Sequence, residues 1–125
     1  MIGAIKTVGV YVQDPQASLS FFTEKLGFEL RRREALGDSG QEWIEVAPAS
    51  TETCLVIYAR SMMKDWTERK TSIVFHCEDI RSECERLANV GVTISMQPTE
   101  MEFGTFAAFE DLDGNQFGMT SQALA

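Results

Sequence analysis

One arrangement occurs twice in this chain: a strand, an aspartate, a helix, a glycine, and another strand. Val10-Tyr11-Val12-Gln13-Asp14 matches Phe75-His76-Cys77-Glu78-Asp79, and Lys25-Leu26-Gly27-Phe28 matches Asn89-Val90-Gly91-Val92. The aspartates lie 65 positions apart and the glycines 64. Each residue has a physical reason to stand where it does. An aspartate side chain accepts from the first free N–H groups of a helix, and glycine takes the left-handed conformation that ends one. Two matched sets of such signals point to two copies of one supersecondary unit sharing a sheet.

The elements follow the same order in both halves. Strands are expected at 5–12, 28–36, 43–46 and 54–58 in the first copy, and at 72–77, 92–96, 105–109 and 116–120 in the second. Asp14-Pro15 starts the first helix, whose apolar face is predicted to be Leu19, Phe22 and Leu26. Asp79 starts the second, with Ile80, Cys84 and Leu87 on one face. Turns fall at 37–40, 48–51 and 111–115, the last with Gly114 available for positive φ. Module one then spans about 1–59, a polar connector 60–70, and module two about 71–122, within a single α+β domain. Met62, Met63 and Trp66 are the connector's apolar content and are expected to cap the edge of the core.

Composition removes several function classes. The chain has 125 residues, 44% hydrophobic and 24% charged, enough for one core. Its net charge of −8 argues against nucleic acid and anionic membrane as partners. The one basic cluster, Arg31-Arg32-Arg33, runs straight into Glu34 and reads as the polar positions of a strand or turn. Residues 1–12 hold neither a signal peptide nor a membrane span, so a cytoplasmic protein is expected. Three cysteines, Cys54, Cys77 and Cys84, with no C-x-x-C spacing, are read as reduced thiols. Beside Glu78 and Asp79 the Cys77 thiolate is disfavoured. No nucleophile and no phosphate loop is read anywhere.

Val12-Gln13-Asp14-Pro15, Ser20-Phe21-Phe22, Lys25-Leu26-Gly27-Phe28 and the hairpin Phe109-Glu110-Asp111-Leu112-Asp113-Gly114-Asn115 together resemble the vicinal oxygen chelate superfamily, which includes glyoxalases, bleomycin resistance proteins and dioxygenases. The resemblance covers nearly the whole chain. It implies two tandem βαβββ modules forming a half-open sheet cup, and commonly a homodimer. It also implies a choice of functions: metal-dependent lyases, isomerases, dioxygenases and transferases, or metal-free binding of a drug.

The metal positions decide among these. Metal-dependent members use His, Gln or Glu on matching strands of each module. Carried over, those positions fall on Thr7, Ser72 and Gly118, with a fourth inside 54–58 whose register the sequence does not fix. Thr, Ser and Gly are not ordinary ligands of such a site, and the chain has a single histidine. The expectation is therefore a protein that binds a small molecule in a strand-lined pocket, with no cofactor and no family-type metal. A lyase or dioxygenase with an atypical site, and a non-catalytic regulatory or scaffolding module, are the alternatives.

Candidate ligand-binding residues are Tyr11, Trp43, Glu45, His76 and Phe103. Tyr11 and Trp43 could stack on a planar ligand or simply fill a core. Glu45, two residues after Trp43, could meet a cationic ligand, but a solvated strand face is the plainer expectation. His76 shares a strand face with Ser72 and Val74; it is either a polar contact or general base, or a strand-end histidine satisfied by backbone. Phe103 stands in a loop before a strand, flanking the mouth or packing in a turn.

Overall fold

The structure, a computed structural model, describes residues 5–62, 73–101 and 104–121. Ser72, Met63, Trp66 and Phe103 lie outside them. The chain divides into two units, 1–71 and 72–125. The repeat suggests one shared sheet; among the described residues each copy instead hydrogen-bonds its own four strands.

In the first unit the elements are β1 (Thr7–Val12), α1 (Pro15–Ser20), a π-helical turn (Phe21–Lys25), β2 (Glu29–Ala35), β3 (Glu42–Ala47), β4 (Cys54–Ala59) and a 3-10 turn (Arg60–Met62). The sheet order is β1-β4-β3-β2, with β1 parallel to β4 and the other pairs antiparallel. Asp14 caps α1 as expected, accepting from the backbone N–H groups of Gln16 and Ala17. Alternation then sorts the strands into two faces. Val10, Val12, Ile44, Val46, Leu55 and Ile57 form one, all at most 4% exposed. With Phe21 and Phe22 they make up the core of this unit.

The helix departs from the expected face. Phe21 and Phe22 are the buried pair, meeting edge to face at 5.4 Å, while Leu19 and Leu26 are only half-buried. In a regular α-helix neighbouring side chains diverge by about 100°. Here the turn widens, and Leu26 N–H donates to the Phe21 carbonyl five residues back. Gly27, at φ +78°, ends it.

The second unit repeats the order: β5 (Ile73–His76), α2 (Ile80–Asn89), β6 (Thr93–Met101), β7 (Gly104–Glu110) and β8 (Gln116–Thr120), in sheet order β5-β8-β7-β6. Asp79 caps α2 through the Ser82 N–H, and Ile80, Cys84 and Leu87 are its buried residues, as the spacing predicts. Phe75, Phe109 and Phe117 stack together, with Phe117 fully buried. Strand β6 runs five residues past its expected end at Met96, through Pro98. It is an edge strand with two register shifts, where a missing N–H is tolerated. The 111–115 turn is tied by buried Asp111, which accepts from the backbone of Asp113 and Asn115 and from the Asn115 amide. No helix among the described residues is long and apolar enough to cross a membrane.

Candidate functional site

The second face of the first sheet gathers most of the sequence-selected residues. Register places Thr7, Gly9 and Tyr11 of β1 opposite Cys54, Val56 and Tyr58 of β4. Glu45 of β3 pairs with Val56, and Arg32 and Glu34 of β2 pair with Glu45 and Trp43. Period-two alternation therefore brings Tyr11, Trp43 and Glu45, three of the sequence-selected residues, onto one surface.

Tyr58 is the centre of that surface. Its ring stacks on Tyr11 at 5.5 Å and meets Trp43 edge-on at 5.7 Å. All three rings are half-buried. Gly9 makes room for them: a methyl group there would come within 2.9 Å of Tyr58 Cε2 and 3.5 Å of the Tyr11 hydroxyl. The sequence reading missed Tyr58 as a site residue because its neighbours depend on strand register. Gly9 did offer a signal, since glycine inside a strand often marks a close approach.

Glu45 corrects an expectation. It does not lie on a solvated face: the residue is 7% exposed. The Trp43 indole N–H donates to its Oε2 at 2.5 Å, and Arg32 Nη1 stands 3.7 Å from the same oxygen. Arg32 makes its shorter ion pair, 2.9 Å, with the exposed Glu34. Arg31 pairs with Glu29 and Arg33 with Glu42, so the arginine triplet lies on exposed β2 in an array of ion pairs, as its strand reading predicts. Burial, then the neighbouring Tyr11 and Glu45, push the Tyr58 phenol up; burial, then Glu45, does the same to the Cys54 thiol. Both groups are therefore neutral at physiological pH.

In the second unit Val74 and His76 fall on the exposed side of β5, while Phe75 packs inward. His76 is the last residue of that strand, and its imidazole is accessible to water. Gly118 pairs with Val74, and the Phe106 ring lies over it, 2.9 Å from where a Cβ would stand. The thiols of Cys77 and Cys84 are both pushed up, mainly by burial; at Cys77 the Glu83 charge adds to this, while a hydrogen bond with the Asp79 backbone works against it.

The register also fixes the open metal position. Val74 opposite Gly118 corresponds to Gly9 opposite Val56, so the fourth position is Val56, buried and without a donor atom. Thr7, Val56 and Gly118 supply one hydroxyl among them, and the space above Gly118 is filled by an aromatic ring. These residues do not fit a divalent metal. Among the described residues no three His, Cys, Asp or Glu side chains gather into a group that could hold one.

Comparison with known proteins gives a consistent picture. The sequence model of the Glyoxalase/Bleomycin resistance protein/Dioxygenase superfamily matches residues 4–119. The uncharacterized protein YetH of Bacillus subtilis (strain 168) is 47% identical over 117 residues, covering 94% of this chain and 97% of that protein. Among solved structures, UcmS2 aligns with a TM-score of 0.85 at 29% identity, covering 98% of this chain and 100% of that one. TnmS3, an antibiotic binding protein from Streptomyces sp. CB03234, aligns with a TM-score of 0.84 at 25% identity, covering 98% of each chain.

Proposed function

The chain belongs to the glyoxalase/bleomycin resistance protein/dioxygenase superfamily, and from that premise we propose that it binds a planar aromatic small molecule on the module-one sheet face without a metal. The observation that carries this reading is the half-buried cluster of Tyr11, Tyr58 and Trp43 gathered over Gly9. Exposed ring area at low entropic cost is what a planar ligand stacks on. The side chains at the donor positions, Thr7, Val56 and Gly118, support a site that works by packing rather than by Lewis acidity. The likeness to the antibiotic binding protein TnmS3 adds support from a relative of known ligand class.

The test is a titration with acridone, a neutral planar probe, read by tryptophan fluorescence and by melting temperature. Binding should raise the melting temperature in proportion to the logarithm of free ligand. It should be unchanged by EDTA and by added Zn, Ni, Mn or Fe(II). Metal-dependent binding, or about one tightly held metal per chain in purified protein by plasma mass spectrometry, would end the metal-free reading.

The proposal includes a homodimer, as the family resemblance implies, and residence in the cytoplasm, which the three free thiols support. Sedimentation equilibrium should return twice the chain mass at micromolar concentration. A single-chain mass throughout would remove the dimer.

A further inference from the structure

We infer that the ligand of this face carries a positive charge, held by Glu45, and that Arg32 is the placeholder the ligand displaces. The inference rests on the proposed aromatic binding face and adds the ligand's charge to it. Of the two carboxylates on that face, Glu34 opposite Trp43 is exposed, whereas Glu45 is 7% exposed, an expensive place to keep a charge. The core needs no carboxylate there, because its opposite face is made of Ile44 and Val46.

The partners of Glu45 leave it short of compensation. The Trp43 indole donates one hydrogen bond at 2.5 Å but brings no charge. The cation paired with it, Arg32, stays 3.7 Å away and makes its shorter contact, 2.9 Å, with Glu34. Glu34 and Arg32 are both exposed, so their pair has solvent on its far side. Two carboxylates thus share one guanidinium, and the group keeps one net negative charge. Burial of Glu45 makes that unbalanced charge count for more than it would in water.

A protonated nitrogen or quaternary ammonium on an aromatic ligand fits this arrangement on two counts. Its ring stacks beside Tyr11, Tyr58 and Trp43, and cations are attracted to the faces of such rings. Its charge replaces Arg32 at Glu45. Arg32 then keeps Glu34, so its displacement leaves no guanidinium unpaired. A neutral ligand gains only the stacking, and an anionic one meets Glu45 directly.

The experiment compares three probes of similar size: N-methylacridinium, permanently cationic; acridone, neutral; and anthracene-9-carboxylate, anionic. The cation should bind at least about tenfold more tightly than acridone, and the anion more weakly than either. Glu45→Gln keeps an acceptor for Trp43 and should bring cation and acridone to within about twofold of each other. Arg32→Gln, at an exposed position, should tighten the cation severalfold relative to acridone. Equal affinities for cation and acridone in the native protein, or a weaker cation in Arg32→Gln, would overturn the charge assignment while leaving the aromatic face intact. Absence of binding by all three probes would overturn both.

Discussion

Phe117→Ala is expected to lower the unfolding free energy by about 3–5 kcal/mol, the range for emptying a fully buried aromatic site. Phe117 has no exposed surface, and its ring stacks on Phe109 at 5.5 Å and on Phe75 at 6.0 Å. Both neighbours are held by strand pairing, Phe109 directly across from Phe117 and Phe75 opposite Met119. They cannot collapse into the gap without breaking register. Against a typical total of roughly 5–15 kcal/mol, such a loss brings the protein close to unfolding at 37 °C. Urea denaturation followed by circular dichroism checks it: the midpoint should fall sharply with the slope unchanged. A loss below about 1 kcal/mol would mean that this aromatic stack is not the core of module two.

Strand type and turn position were legible, because β-branched runs, capping aspartates and glycines each act over a few residues. Asp14, Asp79, Gly27 and Gly114 do what their residue types predict. The α2 face was legible too, since its spacing is regular. The π-helical turn was not: the choice between burying Leu19 and burying Phe21 beside Phe22 is made by the sheet they pack on. The end of β6 was hidden by Pro98, whose meaning changes between a central strand and an edge.

The candidate site was half legible for the same reason. Tyr11, Trp43 and Glu45 could be chosen by type and by alternation within one strand. That Glu45 is buried, that Tyr58 joins two aromatic residues from different strands, and that Arg32 reaches Glu45 are all consequences of register between strands. No local signal reports that register. That two of the carried-over positions hold Thr7 and Gly118 was legible, while Val56 joined them only once Gly9 was seen opposite it. The glycines at 9 and 118 then acquire a common explanation: each lies beneath an aromatic ring of a neighbouring strand, Tyr58 in one module and Phe106 in the other.

That parallel makes Tyr58→Ala the sharpest test of where a ligand sits. The variant should bind acridone about thirtyfold or more weakly, a loss near 2 kcal/mol typical of a central aromatic contact. Tyr58 is the ring that both Tyr11 and Trp43 touch, so its removal takes away one wall and releases the other two. Tyr58→Phe should bind as the native chain does, because the phenol is neutral at physiological pH and the stacking ring is kept. The stability cost of Tyr58→Ala should be smaller than that of Phe117→Ala, since the Tyr58 ring is only half-buried. Titrations at 15 °C therefore compare folded proteins, with near-ultraviolet circular dichroism as the check. Phe106→Ala serves as the matched control from module two, removing a ring that also covers a glycine. Binding that survives Tyr58→Ala within threefold but fails in Phe106→Ala would move the ligand to the module-two face. It would also detach Glu45 from recognition, because Glu45 lies on the sheet of module one and pairs with Val56, two residues from Tyr58.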